Sequence, residues 1–74
     1  MIYPDWWEES PPSLESLTAW CETHQVDLFM DVEMPGDWQG IYIDDLRAIY
    51  INRRTPASWV LPVLAHETFH AAAH

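Results

Sequence analysis

The chain has 74 residues, twelve acidic side chains against three arginines, a formal net charge of −9, one cysteine and five tryptophans. That length allows one small domain and that aromatic content excludes a disordered chain, while a lone cysteine excludes an intramolecular disulfide and fits a reducing compartment. The charge excludes direct binding to nucleic acid, which needs clustered Lys and Arg; scattered Asp and Glu fit solubility or attraction of cations better than mimicry of a nucleic acid.

Residues 1–12 are rich in Pro and Trp and read as an irregular arm, with Trp6 and Trp7 expected to fold back over a small core. This start lacks the positive region and apolar core of a signal peptide, and no apolar run reaches the roughly 18–20 residues of a membrane span, so a cytoplasmic protein is expected. Ser10 or Ser13 can cap a first helix over about Ser13–His24, whose Leu14, Leu17, Trp20 and Cys21 fall at three- and four-residue spacing. Cys21 on that face reads as a small buried hydrophobe. Gln25 marks the helix end.

From Val26 to Met34 the sequence alternates as a strand, with Val26, Leu28, Met30, Val32 and Met34 on one face. Pro35-Gly36-Asp37 is a turn, and Trp38–Ile43 reads as a second strand in which Gly40 indicates a bulge or a close approach. Asp44–Arg47 reads as a hairpin loop leading back through Ala48–Asn52, with Tyr42 and Tyr50 packing on the sheet and Arg53-Arg54 ending it as solvated charges. Thr55 can cap the last helix and Pro56 suits its first position. Pro62 inside that helix predicts a kink or a later start. The fold class expected is α+β: an N-terminal helix, a small antiparallel three-stranded sheet, and a C-terminal helix packed on it.

That last helix carries His66-Glu67-Thr68-Phe69-His70, the pattern H-E-x-x-H. Four-residue spacing puts both imidazoles on one helix face, where they can share one zinc ion, and Glu67 can take a proton from zinc-bound water. The pattern fixes only three positions. Apolar residues before it, alanines after it and a helix predicted on other grounds raise its weight, and such a helix is expected to be largely buried. The plain alternative is a pair of core histidines satisfied by hydrogen bonds, with Glu67 at the surface. A third ligand is harder to find. His74 lies about 12 Å further along an unbroken helix axis than His66, too far to share an ion with it. His24, the chain's terminal carboxylate and a residue of a second copy are the other choices.

The run from Gly40 through Ile49-Tyr50-Ile51-Asn52 to Leu64-Ala65-His66-Glu67-Thr68-Phe69-His70-Ala71-Ala72-Ala73-His74 resembles the ImmA/IrrE family of metallopeptidases. The likeness extends more weakly over residues 13–74, including the turn at Met34–Gly40. Thr68-Phe69 stands where the family usually has Leu-Gly. The resemblance implies a zincin-like domain over 13–74, zinc as cofactor, His66 and His70 as ligands and Glu67 as general base. It also implies a protein or peptide substrate, with a helix-turn-helix repressor of a bacterial or phage regulatory system as the candidate. The family's third ligand is an acidic residue on a later helix. Two readings follow: part of a longer peptidase, or a short form that is inactive or completed by a partner, which includes a homo-oligomer. A non-enzymatic interaction module and a small acidic phage-like inhibitor are the competing functions.

Overall fold

The computed structural model describes residues 12–73; the arm expected at 1–12, except Pro12, lies outside the described residues with Trp6, Trp7 and Ser10, and so does His74. Helix α1 spans Leu14–Thr23. Ser13 caps it reciprocally: its hydroxyl accepts from the Ser16 N–H at 3.1 Å, and the Ser16 hydroxyl accepts from the Ser13 N–H at 2.8 Å. Both donors belong to the set that a helix start leaves unpaired. The helix ends in a Schellman arrangement. Gln25 takes a left-handed φ of 58°, while Val26 N–H donates to Cys21 carbonyl at 2.8 Å and Gln25 N–H to Glu22 carbonyl at 3.3 Å. Leu17 and Cys21 are buried as the spacing predicts, but Leu14, on the first turn, is 45 % exposed.

Three strands follow: β1 Asp27–Val32, β2 Gly40–Ile43 and β3 Ala48–Asn52, with a single 3-10 turn at Asp44–Leu46 between the last two. The alternation is as expected, with Val26 and Met34 buried and Leu28 and Met30 packed on the core. The α+β class with a C-terminal helix holds; the all-antiparallel sheet does not. The order is β1-β3-β2, β2 pairing antiparallel to β3 and β1 pairing parallel to it with an irregularity between Phe29 and Val32. The reason is burial. In β3 only Tyr50 retains intermediate exposure, whereas β1 alternates exposed and half-buried, so the most apolar strand takes the centre.

Helix α2 spans Ala57–Ala73 without a later start, carrying Pro62 inside it, where the ring removes the donor that would meet the Ser58 carbonyl. Thr55 does not cap it; its hydroxyl donates to the Gln39 carbonyl at 3.1 Å. Both helices lie on one face of the sheet. Leu17 and Cys21 of α1, Ile49 and Ile51 of β3, and Leu64 and Ala71 of α2 form the core with Val26. On the other face Phe29 stacks on Tyr50 with ring centroids 5.1 Å apart, while Tyr42 packs inward on the core. Among the described residues no helix is long and apolar enough to cross a membrane.

Gly40 fixes how close α2 comes to β2. A Cβ there would lie 2.8 Å from Val63 Cγ1 and 3.2 Å from Ile51 Cδ1, so it is a close approach and not a bulge.

Candidate metal centre

Helix α2 turns its two halves to different surroundings. Leu64, Glu67, Thr68 and Ala71 are buried against the sheet and α1, while His66 and His70 face outward. The helix is thus half exposed, not largely buried as the sequence suggested, and the core-histidine alternative is reversed: the histidines are outside and the glutamate inside.

The two imidazoles converge. His66 Nε2 and His70 Nε2 lie 3.0 Å apart and the rings meet edge to face at 87°. As a hydrogen bond this needs one nitrogen to donate and the other to accept. It is also close to the spacing of two donors on one tetrahedral ion, about 3.3 Å for metal–nitrogen bonds of about 2.0–2.1 Å. One helical turn therefore holds both nitrogens within a few tenths of an ångström of a zinc-ligating separation.

Glu67 stands between two shallow clefts. One, of about 340 Å³, runs between α2 and the approach to β2 and is lined by Asp37, Gln39, Gly40, Trp59, His66 and Glu67 among others. The second, of about 370 Å³, is lined by Gly40, Ile41, Tyr42, Asp44, Glu67 and His70. Glu67 is 8 % exposed, and no hydrogen bond or ion pair to its carboxylate exists among the described residues. A buried carboxylate without donors is costly. Its remaining opening is toward the clefts that His66 and His70 also line, where a cation held by the imidazoles would be its neighbour. The donor chemistry and the orphaned carboxylate both fit the imidazole half of a zinc centre.

A third ligand is not assembled: among the described residues no three His, Cys, Asp or Glu side chains are grouped to hold a metal. His24 is placed elsewhere, at the end of α1, where its ring stacks on Trp20 at 4.2 Å and Nδ1 lies 3.0 Å from the Trp20 carbonyl oxygen. Arg53 and Arg54 take no part in the site. Arg53 pairs with Asp31 at 3.6 Å and with Glu33 at 3.4 Å, and Arg54 pairs with Glu33, tying the turn after β3 to the end of β1.

Several supporting residues carry no recognisable motif. Arg47, in a left-handed φ of 48°, donates from Nη1 to the Tyr42 hydroxyl at 3.2 Å and to the Ala71 carbonyl at 3.4 Å; Tyr42 in turn donates to Asp44 at 3.0 Å. A guanidinium at the last carbonyls of α2 suits the negative end of the helix dipole and steadies the turn that bears His70. Asn52 holds the other wall: Nδ2 donates to the Trp38 carbonyl at 2.6 Å, and its backbone N–H donates to Gln39 at 2.8 Å. Cys21 lies in the core behind this set. Burial pushes its thiol pKa up, partly offset by the Thr68 hydroxyl and by Arg47.

Comparison with protein-family models, with curated proteins and with solved structures finds no match to this chain.

Proposed function

We propose that this chain is the imidazole-bearing half of a zinc-dependent peptidase centre of the ImmA/IrrE type, its remaining ligand supplied from outside residues 12–73. The observation that carries the reading is the conjunction on α2: two Nε2 atoms 3.0 Å apart and, one residue along, a buried carboxylate with no partner among the described residues. When bound there, zinc would supply Lewis acidity and lower the pKa of its water to about 7. His66 and His70 would hold the ion, and Glu67 would take the proton from the attacking water and pass it to the leaving amine.

The place proposed for the substrate is beside β2. Among the described residues β2 lies at the edge of the sheet, and the Asn52 N–H bond to Gln39 sets the phase of its ladder, so Ile41 and Ile43 exchange the hydrogen bonds with β3. Gly40 borders both clefts that Glu67 lines, and these clefts are where an extended peptide would lie. A helix-turn-helix repressor is the protein substrate proposed, on the family resemblance; its basic surface would suit a chain of net charge −9.

Zinc titration by calorimetry, with Glu67→Gln alongside, tests the reading. Saturable zinc binding that survives in Glu67→Gln and disappears in His66→Ala is expected, with peptide cleavage lost in Glu67→Gln. A chain that binds no zinc would sink the proposal.

A further inference from the structure

The exposed side of α2 differs from the rest of the chain in charge. The protein carries twelve acidic residues and three arginines, yet the only charged side chain on Ala57–Ala73 is Glu67, which is buried. What α2 shows to solvent is Trp59, 55 % exposed, Leu61, 37 % exposed, Pro62, the two histidines and small residues. Trp59, Pro62, His66, His70 and Ala73 recur at three- or four-residue steps, so they form one continuous outward stripe. On this acidic molecule, the stripe itself turns no carboxylate toward another copy, with Asp37 and Asp44 flanking it across the clefts.

The same stripe carries the incomplete ligand set. Two imidazole nitrogens satisfy half of zinc's tetrahedral demand, and a structural zinc site wants four protein ligands. We propose that zinc joins two copies of this chain, His66 and His70 of each copy supplying the four nitrogens, with Trp59 packed in the interface so formed. The arrangement is two-fold and isologous, since each copy presents the same stripe. It rests on the zinc-binding reading above and assigns that site a regulated state. A four-nitrogen site leaves no position for water beside Glu67, so the paired form is a resting form, opened when excess zinc or a stronger third ligand gives each chain its own ion.

Sedimentation of the 74-residue chain during zinc titration in chelator-free buffer tests this. The expected result is a doubling of mass complete at half an equivalent of zinc and reversal toward monomer at several equivalents. Raising salt from about 0.01 M to about 0.15 M should tighten the dimer, because screening relieves the repulsion of two chains of like charge. His66→Ala and His70→Ala should stay monomeric and His24→Ala should pair normally, with circular dichroism confirming that each is folded. Trp59→Glu should weaken pairing at least about tenfold, since like charges opposed across an interface are strongly unfavourable. Zinc-loaded monomers at half an equivalent would overturn the bridge and leave the zinc-binding reading standing; no bound zinc at all would remove both. A zinc dimer that persists in the His66→Ala/His70→Ala chain, or one equally tight in Trp59→Glu, would overturn the proposed interface.

Discussion

Gly40 of β2 and Val63 of α2 meet so closely that a Cβ on Gly40 would stand 2.8 Å from Val63 Cγ1. Valine has little rotamer freedom in a helix, so the contact cannot be relieved by turning the side chain away. Gly40→Ala is expected to cost about 1–3 kcal/mol, the usual range for overpacking. Urea unfolding of Gly40→Ala, Val63→Ala and the double variant measures it. Recovery of part of the loss in the double variant is expected; strict additivity would mean that the two residues do not oppose each other.

Glu67 makes a second prediction, free of any substrate. In the presence of chelator its buried carboxylate meets no donor among the described residues, so removing the charge should help the fold. Glu67→Gln is expected to raise metal-free stability by about 1 kcal/mol, in the range for buried unsatisfied groups. A destabilised Glu67→Gln in chelator would show that the carboxylate is well solvated or paired.

Gln25 holds a left-handed φ of 58° at the end of α1, a conformation that costs a residue with a Cβ about 1–2 kcal/mol. Gln25→Gly should therefore stabilise the protein by a net amount of about 0.5–1 kcal/mol after the added freedom of glycine in the unfolded chain is allowed for. Thermal unfolding reads it as a higher Tm. An unchanged or lower Tm would contradict the Schellman end of α1.

Cys21 sets an alkaline limit. Burial raises its folded pKa above the ordinary thiol value of 9.0. Below 9.0 both folded and unfolded thiols are protonated and the group contributes no pH dependence. As pH rises past it, the unfolded thiol ionises first, unfolding releases a proton, and stability falls until the folded pKa is passed. Chemical unfolding at pH 8 and at pH 10 should show this loss in the parent and a smaller one in Cys21→Ala. Equal losses would place the alkaline transition elsewhere.

Periodicity made the helices and strands legible, because Leu17, Cys21, Leu28 and Met30 bury as their spacing requires. It could not give the strand order: alternation reports which face of a strand is buried, not which strand lies beside it. The mixed sheet came from the competition among three strands for the centre, which β3 wins by burial on both faces. At the site, the four-residue spacing told where His66 and His70 would meet, but not which way α2 would face. That depended on Leu64 and Ala71 outcompeting the imidazoles for the core. Arg47 and Tyr42 were invisible as a pair, since their bonds to each other and to Ala71 join the hairpin to a distant helix end. Asn52 stood in a recognisable strand, yet its bond to Trp38 needed the turn to be folded.

The position of β3 between β1 and β2 also constrains the time course of assembly. As the chain is synthesised, β1 emerges before Ala48–Asn52, the strand it pairs with among the described residues. The β2–β3 hairpin is local and closes early; β1 must wait and then slot in parallel, a slower, longer-range event. Any arrest before residue 48 leaves Phe29 and β1 without that partner, a half-apolar strand of the kind that recruits other nascent chains.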